Sequence, residues 1–236
     1  MASDLGPADR LDEADRRLIL SAFAEPRGFY GAKRASELSG VPERTVYFWA
    51  ITGTLVPDHS DNRPKAWSYR DLIFLRLIAF LRRHRVDLRD ASALVARYRA
   101  EFASGGDVDT SISAAQGGYA FGDTMAVDAL TGQQAFETMV SVCGHFDLLV
   151  SLDDRASAVH LKGPNLLRPS KRTSISPWVM SGEPVVLNSR ITTATLLALH
   201  ERRGLAPREI VDLYPTLSEK DVDDAIEMER DLRPAA

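Results

Sequence analysis

The sequence predicts a mainly α-helical protein with small β elements, arranged as three units. Apolar residues recur at helical spacing towards both ends of the chain, and glycine or proline ends each periodic stretch. Between these stretches Ser, Gly, Ala and Asp are frequent, and the long apolar periodicity is lost. We therefore expect a winged helix-turn-helix unit over residues 1–104, a small α+β connector over residues 105–175, and a three-helix, helix-turn-helix-like unit over residues 176–236.

Charge is unevenly distributed along the chain. The 236 residues have the hydrophobic content of an ordinary globular protein, 44%, and a formal net charge of −4. Residues 26–100, however, contain 14 Lys and Arg against seven Asp and Glu, so the rest of the chain is strongly acidic. A basic segment within an acidic chain indicates that only this segment meets an anionic partner.

Cysteine usage and the lengths of the apolar runs exclude several classes of protein. Cys143 is the only cysteine, so neither an internal disulfide nor a Cys-x-x-Cys metal pair is possible. The N-terminus mixes charges of both signs, which does not fit a secretory segment. The longest apolar stretch, Leu72–Leu81, is broken by Arg76 and is far shorter than the roughly 20 residues of a membrane span. We expect a cytoplasmic protein that makes no membrane contact.

No group of residues indicates catalysis. Cys143 and His145 lack a third ligand or an orienting acid at a recognisable spacing, so a half-buried thiol and a surface imidazole are the simpler interpretation. There is no Gly-rich phosphate loop and no Gly-x-Ser-x-Gly elbow. We expect no enzyme, cofactor or metal. Five aspartates that could be imagined as a metal-nuclease cluster are better interpreted as turn and strand-end residues: Asp123, Asp128, Asp147, Asp153 and Asp154.

The stretch Phe29–Trp49 predicts two short helices joined by a tight turn. Gly40 permits the positive φ that ends the first helix, and Pro42 suits the first turn of the second. Val46 and Trp49 are three residues apart and share the inner face of the second helix, which leaves a polar outer face. This helix-turn-helix has a second helix of the size that enters a DNA major groove. An amphipathic helix is also expected before it, over residues 9–23.

A loop rich in Gly, Pro, Asp and Asn follows, with Leu55–Val56 and Ala66–Trp67 as β-prone flanks. Such a loop predicts a wing, a small hairpin that touches phosphates or the minor groove. Arg63 and Lys65 lie on its return side.

Two amphipathic helices are expected after the wing. Ser68 is a good N-cap for the first, which continues to about His84. Val86–Asp87 breaks the pattern, and the second helix runs from Leu88 to Phe102.

These residues resemble the MerR-type winged helix-turn-helix. The segments FYGAKRASELSGVPERTVYFW and WSYRDL and the two following helices carry the resemblance, over residues 29–102. It implies binding of duplex DNA, usually as a dimer. The chain departs from the family at Tyr47, where an Arg is usual, and lacks the longer dimer helix and cysteines of metal-sensing members. Matching positions give these candidate DNA-binding residues: Arg44, Thr45, Tyr47, Arg63, Lys65, Tyr69 and Arg70.

Each of these candidates also has a plain structural interpretation. Arg44 and Thr45 either contact DNA or are solvated residues on a surface helix. Tyr47 either contacts a phosphate or packs on the wing. Arg63 and Lys65 are either phosphate clamps or ordinary basic loop residues. Tyr69 and Arg70 either contact phosphate or, as we favour, pack and solvate the start of a helix.

The connector and the segment after it are expected to contain short strands. Strands are predicted at Tyr119–Phe121 and Met125–Val127, a helix from Gln133 to about Cys143, and further strands at Leu148–Val150 and Ala158–Leu161.

A hairpin turning at Gly182 is expected from Pro177–Val179 and Val185–Leu187. Three helices then complete the C-terminal unit, the first of them ended by Gly204. They are expected to begin at Thr192 or Thr193, at Pro207 and at Ser218.

The C-terminal unit resembles small bacterial domains similar to VapB antitoxins. These domains begin with a Gly-x-Pro…Thr-Arg-Ile motif, which is matched here by Gly182, Pro184, Arg190 and Ile191. The pattern that follows this motif is matched by LAPREIVDLYPTLSEKDVDDAI. The resemblance covers residues 177–231. Together the two resemblances imply an antitoxin that forms a homodimer, represses its own promoter and neutralises a PIN-type ribonuclease toxin. The alternative is a stand-alone regulator whose connector binds a small effector.

The last helix carries an acidic set that is usually only a solvated face. A minority interpretation is that this set mimics nucleic acid in the groove of a basic nuclease. Its members are Asp221, Asp223, Asp224, Glu227 and Glu229.

Overall fold

The computed structural model describes Ser21 and residues 25–83, 87–103, 120–121, 125–126 and 163–233. Within these residues the chain forms seven α-helices and two small antiparallel sheets, which confirms the predicted mainly α fold with small β elements. No described helix is long and apolar enough to cross a membrane. Apart from Ser21, which is helical, the helix expected over residues 9–23 lies outside the described residues, as do the connector helix from Gln133 and the strands Leu148–Val150 and Ala158–Leu161.

Helices α1 (Ala32–Ser39) and α2 (Glu43–Ile51) form the expected helix-turn-helix. Gly40 has a φ of 71°, and its N–H donates to the carbonyl of Ser36 at 2.9 Å, which ends α1 as predicted. Pro42 then serves as the N-cap residue of α2. The turn between the two helices is therefore short and well defined by its own residues.

The wing pairs differently from the prediction. Ala66 bridges to Ser60, and the next residue, Trp67, bridges to Tyr30 at the start of the helix-turn-helix. Leu55 is buried, and its N–H donates to the carbonyl of Trp49 at 3.2 Å. The expected pairing of Leu55–Val56 with the return strand was therefore wrong, because Leu55 packs into the core beneath α2.

Helices α3 (Tyr69–Arg83) and α4 (Leu88–Ala103) follow the wing and match the predicted boundaries closely. Ser68 caps α3 reciprocally with Asp71. The Ser68 hydroxyl accepts from the Asp71 N–H at 3.2 Å, and the Asp71 carboxylate accepts from the Ser68 N–H at 2.8 Å.

Four short strands form the two sheets. Strands β1 (Ala120–Phe121) and β2 (Met125–Ala126) pair antiparallel, within the segments predicted as strands. Strand β3 (Thr173–Ser174) pairs antiparallel with β4 (Val185–Val186), with Thr173 opposite Val186.

The predicted hairpin of Pro177–Val179 with Val185–Leu187 was wrong, because β4 pairs with β3 instead. Pro177 has no N–H for a ladder. The Val179 N–H turns back to the Ser176 carbonyl at 2.9 Å, and a 3₁₀ helix follows at Met180–Gly182.

The C-terminal unit contains α5 (Thr193–Arg203), α6 (Pro207–Leu213) and α7 (Glu219–Asp231). Thr192 caps α5, Gly204 ends it with a φ of 69°, and Ser218 caps α7, as predicted. Helix α7 buries Val222, Ala225 and Ile226 against the other two helices of this unit.

Two buried apolar clusters form the core. The first joins α1 to α4 with Leu166, Leu167 and Ile175, which follow the connector in sequence. The second is built by α5, α6 and α7 with Val186. The chain from residue 163 to residue 175 is thus packed on the N-terminal helices.

Polar contacts from α3 hold this returning segment. The Tyr69 hydroxyl donates to the Leu166 carbonyl at 2.8 Å. Arg76 is fully buried and donates to the carbonyls of Ser39 and Pro164 at 3.2 and 2.7 Å. Since Ser39 is the last residue of α1, one guanidinium ties the end of α1 to the chain that re-enters from the connector.

The two clusters are joined by an ion-pair network centred on Arg34 in α1. Its guanidinium donates to both carboxylate oxygens of Glu229 at 2.7 and 3.0 Å, and to Glu183 at 2.9 Å. Beside it, the buried Tyr30 hydroxyl donates to the Gly182 carbonyl at 2.8 Å. A bidentate pair of this kind fixes orientation as well as distance.

Candidate nucleic-acid interface

Helix α2 is held with one face in the core and the other towards solvent. Val46 is fully buried and Trp49 is 6% exposed, so these residues anchor the inner face as the sequence predicted. Arg44 is exposed and Thr45 is half-buried. Tyr47 is half-buried and packs against the core cluster. Packing against the core is therefore part of the role of the Tyr47 side chain. The Arg44 side chain, in contrast, is exposed to solvent.

The outer face of α2 is not polar throughout, so that part of the prediction was wrong. Phe48 is 54% exposed and Ile51 is 64% exposed. With Arg44 they follow an i, i+4, i+7 spacing, which places the three side chains in one line along the helix. Sequence reasoning missed these two residues, although counting from Arg44 at helical spacing would have found them.

The wing presents the two predicted basic residues. Arg63 is exposed near the tip of the loop. Lys65 is half-buried, and its ammonium donates to the carbonyl of Asp61 within the same loop. Both therefore lie on the wing surface, with Lys65 bracing the loop at the same time.

Tyr69 and Arg70 lie inside the protein. Tyr69 is fully buried, with its hydroxyl on the Leu166 carbonyl. Arg70 is 6% exposed and donates to both carboxylate oxygens of Asp58, at 2.7 and 2.9 Å. Neither side chain reaches a phosphate without leaving these partners. The candidate surface is therefore formed by the other five predicted residues and by Phe48 and Ile51.

A buried ionic cluster fixes the wing on α3 and α4. Asp58, in the wing, accepts from the Ser68 hydroxyl at 2.5 Å, and its own N–H donates to Asp71 at 2.9 Å. Arg99 of α4 lies 3.0 Å from Asp58 and also pairs with Asp71. Because these carboxylates and guanidiniums belong to three different elements, the wing is attached to the helices by charge as well as by packing.

The two aspartates of this cluster have pKa values shifted in opposite directions. Burial raises the pKa of Asp71 to about 6, against the opposing charge of Arg99. Burial also acts to raise the pKa of Asp58, but the hydrogen bonds from Arg70 and Ser68 outweigh it and leave that pKa below its usual value. Sequence reasoning missed Asp58 and Arg99, because their contacts are distant in sequence.

Several members of the acidic set on α7 already form ion pairs or hydrogen bonds within the chain. Glu229 is 5% exposed and paired with Arg34. Asp221 accepts from Arg172 at 2.7 Å, and Asp224 accepts from the Arg172 N–H at 3.1 Å. Three of the five acidic residues thus have structural roles.

The comparisons with known proteins bear on the C-terminal unit. Residues 174–227 match the model of a family described as "Protein of unknown function (DUF433)". This DUF433 region begins within β3 and ends within α7, so it covers α5, α6 and most of α7. No curated protein and no solved structure matches the chain.

Proposed function

We propose that this chain is a DNA-binding antitoxin. The winged helix-turn-helix binds duplex DNA at the chain's own operator, as a homodimer, and the remainder binds and neutralises a PIN-type ribonuclease toxin. One observation carries the DNA-binding half of the proposal. Helix α2 is anchored by buried Val46 and Trp49 and exposes Arg44 to solvent, and the wing that follows it in sequence carries Arg63 and Lys65.

The physical chemistry of this surface favours duplex DNA as its ligand. A major groove about 12 Å wide admits one α-helix, and phosphate neutralisation by Lys and Arg supplies most of the affinity. Arg44, Arg63 and Lys65 lie in a segment with a positive balance, residues 26–100, whereas the remaining residues taken together are acidic.

The toxin-binding half rests on the resemblance of the C-terminal unit to VapB-like domains, in a region that a family model also marks as a unit. The resemblance to VapB-like domains covers residues 177–231, and the DUF433 family model matches residues 174–227. The same residues form a separate helical cluster with its own buried core. Leu213, at the end of α6, is 56% exposed on this cluster and offers apolar surface to a protein partner.

DNA binding is tested by measuring the affinity of the full chain for its own promoter fragment as the salt concentration rises. The logarithm of affinity is expected to fall linearly with the logarithm of salt, by about 0.9 for each phosphate contacted. Arg44→Ala should weaken binding, whereas Arg208→Ala, at an exposed position on α6, should not. Affinity that stays flat with salt would contradict this half.

Toxin binding is tested by co-expressing the tagged chain with the neighbouring reading frame and weighing the purified species. A stable complex with a small nuclease is the expected result. A homodimer without a partner would contradict the toxin-binding half and leave DNA binding intact.

A further inference from the structure

The line of side chains along the outer face of α2 combines one cation with exposed apolar groups. It begins with the exposed cation Arg44 and continues with two large apolar side chains, Phe48 and Ile51, that are more than half exposed. Large apolar groups that are exposed to water raise the free energy of the folded chain unless a partner covers them. Because α2 is otherwise anchored by Val46 and Trp49, this exposure is a fixed property of the folded chain.

The dimensions of this line match a short run of base pairs. From Arg44 to Ile51 an α-helix rises about 10 Å, which corresponds to roughly three base steps. The side chains at i, i+4 and i+7 project along the same edge of the helix. A helix lying in the groove would therefore place one cation and two apolar groups against successive base edges.

The charges around the line favour nucleic acid over protein as the covering partner. Arg44 opens the line, and Arg63 and Lys65 lie on the wing that follows α2 in sequence. Glu43 is exposed at the first position of α2, but it lies about 100° around the helix from Arg44. The apolar groups are thus accompanied by cations, as a groove lined by phosphates requires.

We propose that Phe48 and Ile51 read the C5-methyl groups of thymines in the major groove, next to a guanine held by Arg44. This inference rests on the proposed DNA binding and names the bases that α2 selects. The thymine methyl is the apolar group on the major-groove edges of the four bases, and guanine offers two acceptors that fit an Arg fork. The operator is therefore expected to contain guanine followed within a few base pairs by thymine.

The experiment removes only the methyl groups. Duplexes bound by the full chain are selected from a randomised pool, and the enriched site is remade with each thymine replaced in turn by deoxyuridine. At one or two positions the wild-type chain should lose about fourfold in affinity, the expected effect of uncovering one methyl. Phe48→Ala or Ile51→Ala should bind the thymine and uracil duplexes equally at the position that the lost side chain had read.

Leu213→Ala serves as the matched control, since Leu213 is also a largely exposed apolar residue but lies on α6. This variant should keep the wild-type preference for thymine. The first measurement uses the wild-type chain alone, so it remains decisive even if a variant fails to fold.

The possible failures are distinguishable. Equal wild-type affinity for every uracil duplex would overturn the thymine inference while leaving DNA binding standing. Enrichment of no duplex at all would overturn the proposed DNA binding itself. A Phe48→Ala chain that keeps its thymine preference but loses a co-purifying protein would identify a protein-docking face and reject the inference.

Discussion

Asp71 shows how a single buried carboxyl can make stability depend on pH. It is fully buried in the first turn of α3, in contact with the wing and with Arg99 of α4, and its pKa is raised to about 6 by that burial. In the unfolded chain an aspartate titrates near pH 4. Between these two values the folded chain holds a proton that the unfolded chain has released, so stability falls as pH rises through this window.

Asp71→Asn is therefore expected to change the pH profile of unfolding. The amide keeps an acceptor for the Ser68 and Asp58 N–H groups but does not ionise. From about pH 4 to pH 6 the wild-type chain should lose stability relative to the variant, by up to about 3 kcal/mol. Urea unfolding at several pH values measures this, with exposed Asp223→Asn as the control for removing a carboxylate. A wild-type-to-variant difference that is constant across the window would contradict the assignment.

At the scale of elements, the wing depends on contacts with α3 and α4 more than on its own pairing. It has one bridge between its two sides, Ser60 with Ala66, whereas Asp58 accepts from Ser68, Arg70 and Arg99. A loop fixed in this way presents Arg63 at a defined place relative to α3 and α4. The ionic cluster thus determines the position of the wing.

Arg70→Ala tests the role of this cluster. It leaves the buried Asp58 carboxylate with fewer partners, and we expect a loss of roughly 2 kcal/mol in the free energy of unfolding, limited because Arg99 remains. Arg63→Ala, on the exposed part of the same wing, should leave the unfolding midpoint unchanged and weaken only DNA binding. Equal midpoints for Arg70→Ala and wild type would show that the wing does not need this pair.

The elements also show which features were predictable from sequence. Gly40, Gly204, Ser68 and Ser218 were correctly assigned as helix ends or caps, because these roles depend on a residue and its near neighbours. The pairing of β3 with β4 was not predicted, since two-residue strands carry no periodicity and their register is set by the surrounding fold.

The candidate site was predictable to a similar extent. The exposed positions of Arg44 and Arg63 follow from local pattern. The burial of Tyr69 depends on the carbonyl of Leu166, which lies 97 positions later in the chain. Such a contact cannot be inferred from the residues around Tyr69. The same holds for Arg34, whose partner Glu229 lies 195 positions away.

At the scale of the whole molecule, the N-terminal helices and the DUF433 region are joined by polar contacts of Tyr30 and Arg34, among others. Arg34 pairs with Glu183 and Glu229, and Tyr30 donates to the carbonyl of Gly182. A Cβ at Gly182 would lie 2.0 Å from the Tyr30 hydroxyl oxygen, so this approach requires glycine. The junction therefore has little tolerance for added volume.

Gly182→Ala should destabilise the whole chain more than a matched change elsewhere. Gly204→Ala is the control, because its φ is also positive but its added Cβ would meet nothing within 4 Å. We expect about 1 kcal/mol of destabilisation for Gly204→Ala, from backbone strain alone, and at least about 2 kcal/mol more for Gly182→Ala. Thermal unfolding of the three proteins compares them. Similar losses of stability for the two variants would mean that the contact between Gly182 and Tyr30 accommodates the added methyl group.

The return of the chain to α3 has an evolutionary consequence. Helix α4 packs on the N-terminal core through Ala91 and Val95, and residues 163–167 re-enter the same core, held by Tyr69 and Arg76. The stretch 104–162 is thus inserted between two points fixed on one body. An insertion, deletion or exchange within residues 104–162 therefore leaves both attachment points on the same core.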